Sequence, residues 1–344
     1  MVSELPLDSF NAYQWKKGTT AEKEYQADIL IKNSGLYGIS GIYDEGQIVN
    51  PNLRAATHRA IDLFFNLPQE VKISCISQDD LNLGYYKPGR EDYGDGPEWW
   101  KEFVRVGYRG DKRKYPQDLW PKKEVLDKHL TADDAAFLDH FQRVDVYDFF
   151  DQYIALSTVA LNAIAHHYLG LSGDFFDSSR VVDGQSYKMV EGNTLQMIKY
   201  RTTSNLSGEV AKLGDPLFRK HRDSSTGTIG DMSKDPEHCL EVEINENEWV
   251  APILPTQHFF FQFGVTYSAL ILDMAQRQEV DLDKLAYREM KATLHRGIRK
   301  NIDQERSGLV AFNHPQLTMP ILDSTAGKIL TGHLFKYILS GGQS

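Results

Sequence analysis

Cysteine is scarce in this sequence, with Cys75 and Cys239 as the only two. Two thiols so far apart make neither a disulfide framework nor a metal-type spacing, so buried or incidental thiols in a reducing compartment are expected. Long apolar runs are missing too. No stretch approaches the roughly 18 uninterrupted apolar residues that a membrane span requires. The opening "MVSELPLDSFNAYQWKKGTT" holds no apolar core of signal-peptide length. Positive charge is in deficit: 38 Lys and Arg stand against 48 Asp and Glu, a net charge of −10. Nucleic acid and anionic membrane both reward a basic surface, so neither is expected as a partner. There is no internal repeat, no low-complexity tract and no G-x-G-x-x-G loop. These absences leave a soluble, cytoplasmic protein without a dinucleotide fold.

What is present is ordinary globular material, 41% hydrophobic and 25% charged over 344 residues, enough for one large core or two smaller ones. The N-terminal part reads as helical. "TTAEKEYQADILIKNSG" has mixed charge and apolar spacing and is expected to stop at Gly35, with "GLYGISGI" as a short strand after it. "PNLRAATHRAIDLFFNLPQEVK" is a helix broken at Pro68, and "GYYKPGREDYGDGP" reads as loop. The longest helical pattern starts near Thr131 or Asp133 and ends at Gly170. Beyond about residue 186 the segments shorten and become β-rich: "LQMIKYR", "TGTIG", "CLEVEIN", "EWVAPIL", "HFFFQFG", "SALIL", "KATLHRGI" and "SGLVAFNHP". Many short strands in succession predict a sandwich or barrel with the helices outside it.

Within "LFRKHRDSSTGTIG", His221 and Asp223 stand two apart. On a strand such residues share a face, so an imidazole and a carboxylate can meet at one point while Arg222 turns away. A second histidine would complete a two-His, one-carboxylate face that leaves open positions on a ferrous ion. The same triplet opens a protein-kinase catalytic loop, but no D-F-G follows it and no glycine-rich loop precedes it. A polar turn at a strand end is the remaining plain reading of the triplet.

Further motifs, in order, resemble the isopenicillin N synthase-like branch of the iron(II)/2-oxoglutarate-dependent oxygenases over nearly the whole chain. They are "SGLYGISGI" with "FFNLPQEVK", then "GYYKPGRE" and "EWWKEFVRVGY", "HRDSSTGT", "ATLHRG", and "ERSGLVAFNHP". The resemblance implies a mainly β fold with flanking helices, a distorted double-stranded β-helix or jelly roll. Residues 1–110 would form its N-terminal helix and strand region, and 111–344 the long helix and core, as one structural unit. It implies Fe(II) held by His221, Asp223 and His295, with O2 as co-substrate. 2-Oxoglutarate would be held by Arg306 and Tyr200 beside Gly308, and a small molecule oxidised at an unactivated C–H bond by hydroxylation, desaturation or cyclisation. A place in secondary metabolism accompanies that expectation. Phe259, Phe261 and Phe263, or the alternate Phe260, are candidate pocket walls. His258 is the rival second imidazole. His166 and His167 on the long helix, and His314 before Pro315, are expected to pack or cap.

The sequence also departs from the family pattern. The serine two residues after the arginine reads Gly308, and Ser307 stands where alternation turns it away. Gln196 and Ile198 replace the Arg and Asn that precede Tyr200, Ser225 replaces the metal-motif glycine, and Val265 replaces an acid. An oxidase that takes its electrons from the substrate or from ascorbate, without 2-oxoglutarate, therefore stays open, as does a non-catalytic jelly roll. The stretch from Ala275 to Met290 is longer than the family needs and is expected to be a surface element at the mouth of the site or an oligomer contact.

Overall fold

The computed structural model describes residues 3–75, 83–88, 101–107, 119–203, 210–231, 233, 239–280, 292–316, 318–324 and 327–330. Two largely antiparallel sheets face one another. The larger runs β2 (Ser9–Asn11), β3 (Ile39–Tyr43), β13 (Phe259–Phe263), β10 (Gly227–Asp231), β15 (Arg306–Asn313), β8 (Thr194–Tyr200), β5 (Lys101–Gly107) and β4 (Gly84–Tyr86). The smaller runs β1 (Ser3–Pro6), β12 (Glu248–Ile253), β11 (Leu240–Asn245), β14 (His295–Ile298) and β9 (Pro216–His221). Two hairpins, β6 (Ser179–Val182) with β7 (Gln185–Lys188) and β16 (Pro320–Ser324) with β17 (Gly327–Leu330), complete the strands. This is a jelly roll. Four of the eight strands in the larger sheet come from before residue 110 and four from after it, so the N-terminal segment is woven into the core.

Helices cover the outer face of the larger sheet. They are α1 (Ala12–Lys17), α2 (Thr20–Tyr37), α3 (Pro51–Phe65), α4 (Gln69–Ile73), α5 (Lys123–Leu126), α6 (Ala132–His140), α7 (Val146–Tyr168) and α8 (Val265–Gln276). Thr131 caps α6 by accepting from the Asp134 N–H, and a π turn over Phe141–Asp145 joins α6 to α7. Gly170, at φ +66°, follows the end of α7 in the left-handed conformation that glycine adopts without strain. Along α7, Tyr153, Leu161 and Ile164 are buried in the same cluster as Ile229, Leu195, Leu309 and Ala311 of the sheet. Among the described residues no helix is long and apolar enough to cross a membrane.

Three local expectations are corrected. Helix α2 runs through Gly35 to Tyr37 and stops at Gly38, whose φ of +70° no β-carbon tolerates well. A helical glycine costs only about 1 kcal/mol against alanine, and Asn33, donating to the Asp8 carbonyl at 2.7 Å, anchors that last turn. Gly84–Tyr86, read as loop, is the edge strand β4 paired to β5; residues 89–97 of that stretch lie outside the described residues. "SALIL", read as a strand, is the middle of α8. A short apolar run does not distinguish a buried strand from a buried helix. Here Tyr267, Leu270, Ile271 and Met274 recur at helical spacing and are all fully buried.

Charged ties fix the helices to the sheet. The guanidinium of Arg54 on α3 grips the buried Asp231 at the end of β10, and His58 one turn later reaches the same carboxylate at 3.0 Å. Burial pushes the Asp231 carboxyl up, but Arg54 and His58 together outweigh it and hold the group well below the usual carboxylate range. Its stabilising effect is therefore complete above the unfolded pKa, near 3.9, and is lost as pH falls through that value toward the folded one. Asp231→Asn should lower the unfolding free energy at pH 7 by about 3 kcal/mol, because it leaves a buried cation without its counter-ion. The gap from the native chain should close below about pH 4. Urea denaturation of both proteins across that range checks this, and equal stability at pH 7 would refute it.

Candidate metal centre

Strand β9 ends at His221 and β14 begins at His295, and the two residues are direct cross-strand partners. Their rings lie 4.4 Å apart between centroids. Asp223 follows just beyond the strand, buried at 6% exposure, while Arg222 turns away and donates from Nε to the Ala292 carbonyl at 3.1 Å. One ligand atom from each of His221, Asp223 and His295 lies within 4.8 Å of the others, the one such grouping among the described residues.

The hydrogen bonds around the group decide which atoms face inward. His221 Nδ1 stands 2.8 Å from the Arg219 carbonyl, and His295 Nδ1 stands 3.1 Å from the Thr293 carbonyl. A carbonyl only accepts, so each Nδ1 carries the proton and each Nε2 keeps its lone pair. Both Nε2 atoms face Asp223 Oδ1, at 3.5 and 3.7 Å. The other carboxylate oxygen, Oδ2, is occupied: Thr228 donates to it at 2.7 Å and the Gln262 amide at 2.6 Å. Two imidazole lone pairs and one carboxylate oxygen are thus turned to one point. Burial pushes His295 down to about 4, which keeps its ring neutral at neutral pH. Burial pushes the Asp223 carboxyl up, but the two imidazoles in their protonated form and the Thr228 hydroxyl outweigh it and hold the group below the usual carboxylate range. Burial pushes His221 down, but its contact with Asp223 outweighs that and raises it.

The turn that places Asp223 depends on a close backbone approach. A β-carbon on Gly264 would run into the Ser225 carbonyl oxygen, so only glycine allows the contact. That approach lets the Val265 N–H donate to the Asp223 carbonyl at 2.8 Å. Ser225, a departure from the family motif, lies 2.7 Å from Thr228 Oγ1 and so extends the chain of hydroxyls behind Asp223.

A cavity opens beside this cluster between the sheets. Arg306, Tyr200 and Lys101 are in register across β15, β8 and β5, and all three line it. The Arg306 guanidinium lies 5.4 Å from the Tyr200 ring centre. Gly308 lines the same wall, and Ser307 turns to the opposite face, where its hydroxyl donates to Asp62 at 3.2 Å. Lys101 was missed in the sequence, although alternation along "KEFVR" would have placed it, Phe103 and Arg105 on one face. Gln262 and Thr228 were missed as well, because nothing local marks a residue whose role is to hold another residue's oxygen.

The phenylalanine expectation is corrected. Phe259, Phe261 and Phe263 belong to the core under the helices, with Phe259 5.5 Å from the Tyr153 ring. Phe260 and Gln262 face the cavity instead. Gln262 pairs with Thr228 across the strands, which fixes the inward parity. His258 lies four residues from Gln262, roughly 13 Å along an extended strand. There its Nδ1 meets Ser9 Oγ at 2.7 Å and its ring stacks on Tyr43, so it does not join the cluster. His166 packs edge-on against Trp15, and His167 stands 3.7 Å from Asp28. His314 is buried, its backbone N–H donating to Asn193 at 2.7 Å. Cys75 and Cys239 are both buried. Of the stretch from Ala275 to Met290, the first two residues close α8 and residues 281–290 lie outside the described residues.

Residues 37–123 match the family described as the N-terminal region of the non-haem dioxygenases in morphine synthesis. No curated protein matches the chain. Among solved structures, a full-length Neurospora crassa protein in complex with alpha-KG is 19% identical, with 97% of this chain and 96% of that one covered at a TM-score of 0.72. A 2OG-Fe(II) oxygenase family protein from Caulobacter crescentus is 18% identical, with both chains covered in full at 0.69. JOX2 in complex with 2OG, Fe and JA is 17% identical, with 100% and 88% covered at 0.66. The chain therefore has the fold of the 2-oxoglutarate/iron(II) oxygenases, and a quarter of it, near the N-terminus, matches the non-haem dioxygenase N-terminal family.

Proposed function

We propose that this protein is a mononuclear non-haem Fe(II) oxygenase that uses 2-oxoglutarate and O2 to oxidise a C–H bond of a small molecule. The observation that carries the reading is the division of labour within Asp223: Oδ2 is held by Thr228 and Gln262, and Oδ1 is left facing two histidine lone pairs. Two imidazoles and a carboxylate on one side are the donor set that suits ferrous iron with open positions. Bound iron supplies the oxidising chemistry, with O2 consumed, 2-oxoglutarate leaving as succinate and CO2, and one oxygen atom going to the substrate in a hydroxylation. The chain's own residues supply position and dryness. Thr228 and Gln262 keep the carboxylate from rotating, as partners behind a ligand generally do. Phe218, Leu240, Phe260 and Phe312 are apolar walls that keep water from the cluster. Arg306, with Tyr200 beside it, is the clamp for the far carboxylate of 2-oxoglutarate, and Lys101 in the same row adds a second cation. The complexes of the Neurospora crassa protein with alpha-KG and thymine, and of JOX2 with 2OG, Fe and JA, support the same use of the fold here.

Asp223→Ala should fold and lose stoichiometric Fe(II) binding, while His258→Ala keeps it; full iron occupancy in the Asp223 variant would sink the ligand assignment. Gln262→Leu should weaken iron binding by about 10- to 100-fold, because the ligand survives but its orientation does not. Competition with a calibrated chelator reads both.

Arg306→Ala should raise the 2-oxoglutarate requirement by roughly thirty-fold to several thousand-fold, since truncating one partner of a buried charge pair costs about 2–5 kcal/mol. Gly308→Ser should be neutral or modestly tighter, because a β-carbon there meets only Tyr200 and Ile198, at 3.7 and 3.8 Å. Succinate formation against 2-oxoglutarate concentration tests both. Turnover in the complete absence of 2-oxoglutarate, with Arg306→Ala weakening the main substrate instead, would favour the oxidase that draws its electrons from the substrate or from ascorbate.

A further inference from the structure

Several arginines in this fold, buried or half-buried, are neutralised. Arg54 meets Asp231, Arg180 meets Asp273 and Glu279, and Arg201 meets Glu102 and Glu305. Arg105 on β5 is different. It is 5% exposed, and its guanidinium lies over two stacked rings, 5.4 Å from the centre of Tyr86 and 5.2 Å from that of Phe103. Its polar contact is the Gln196 side-chain carbonyl, to which Nε donates at 3.0 Å and Nη2 donates alongside. Nη1 has no hydrogen-bond partner, and no acid pairs with the group among the described residues. A buried cation with only a neutral amide and two ring faces for company is costly to hold. A ligand that brings a negative oxygen to Nη1 would remove that cost.

The sheet register places this cation relative to the cavity. Arg105 opposes Gln196, which opposes Val310, and both of these line the cavity. Val310 in turn opposes Gly230, one pleat from Thr228, which holds Asp223. The Arg105 row is therefore about 7 Å along the strands from the row of the metal cluster. The row of Lys101, Tyr200 and Arg306 lies on the far side, four residues or roughly 13 Å further along β5. The sheet face that walls the cavity thus carries two separate cationic positions, Lys101 and Arg306 in the lining and Arg105 behind Gln196, and the assigned co-substrate accounts for only the first.

We infer that Arg105, with Gln196 as its positioning partner, is the substrate-recognition residue, and that the substrate is a small organic acid whose carboxylate docks on Arg105 Nη1. This rests on the oxygenase reading and narrows its substrate class. The guanidinium fork suits a planar two-oxygen anion, and Ile198 and Val310, which line the cavity beside Gln196, give the carbon skeleton apolar contacts.

The test is binding, read without turnover. The full chain is loaded anaerobically with Fe(II) and 2-oxoglutarate and titrated by calorimetry with phenylacetate, cyclohexanecarboxylate and indole-3-carboxylate, each beside its primary amide. At least one acid should bind the native protein ten-fold or more tighter than its amide. Arg105→Leu should weaken that acid on the order of thirty-fold or more while leaving the amide unchanged. Arg105→Lys keeps the charge but loses the fork, and should weaken the acid less. It carries the test if the leucine variant does not fold. The visible band of the iron–2-oxoglutarate complex should be the same in all three proteins. If no acid outbinds its amide, or if the Arg105 variants bind the acid as the native chain does, the inference is overturned. A native protein that gives no such band would instead bring down the oxygenase reading beneath it.

Discussion

A carboxylate buried between two sheets must have both of its oxygens accounted for, and here each answers to a different set of partners. Asp223 Oδ2 is fixed from the larger sheet by Thr228 on β10 and Gln262 on β13, which are themselves cross-strand neighbours. Asp223 Oδ1 faces the smaller sheet, where His221 and His295 are paired across β9 and β14. The cluster is therefore a joint between the sheets. Its geometry holds only while the sheets keep their spacing, so the burial of Phe260, Ile39, Leu240 and Val242 in the packing between them bears directly on it.

The strands beside the cavity do two kinds of work because a strand has two faces. On β5, β8 and β15 the cavity face carries Lys101, Tyr200 and Arg306. The opposite face carries Glu102, Lys199 and Ser307 in the adjoining register. Behind the wall, Glu102 takes Lys72 at 2.8 Å, Arg201 at 2.6 Å and the Tyr85 hydroxyl at 2.6 Å, so its charge is fully answered. Polar networks of this kind are rigid when every member is satisfied. The cationic row on the cavity side is mounted on that rigid backing.

Much of this was legible in the sequence, and the limits have physical causes. The capped ends of α6 and α7, the run of short strands and the order of His221, Asp223 and His295 follow from local spacing and from motif order. Alternation along "HFFFQFG" placed one set of aromatic rings inward but could not say which, because both faces of that strand are buried and apolar. The parity is set by Gln262 against Thr228, a pairing of residues 34 positions apart. Arg105 and Lys101 were hidden for a related reason. A charged residue on a strand looks solvent-facing until the sheet's second face proves to be covered too. "SALIL" failed because five apolar residues carry no period.

The first strands of the chain tie the sandwich along one side. β1 runs parallel to β12 at the edge of the smaller sheet, and β2 runs parallel to β3 at the edge of the larger. Only Leu7 and Asp8 separate them, with the Leu7 N–H reaching the Ile253 carbonyl and Asp8 accepting from Asn33. The molecule is bound like a book whose spine is this short segment, with β9 and β4 as the fore-edges of its two covers. Pages open away from a spine, so the strand that carries His221 and the strand beside the row of Lys101, Tyr200 and Arg306 both lie toward the open side, far from the segment that joins the covers.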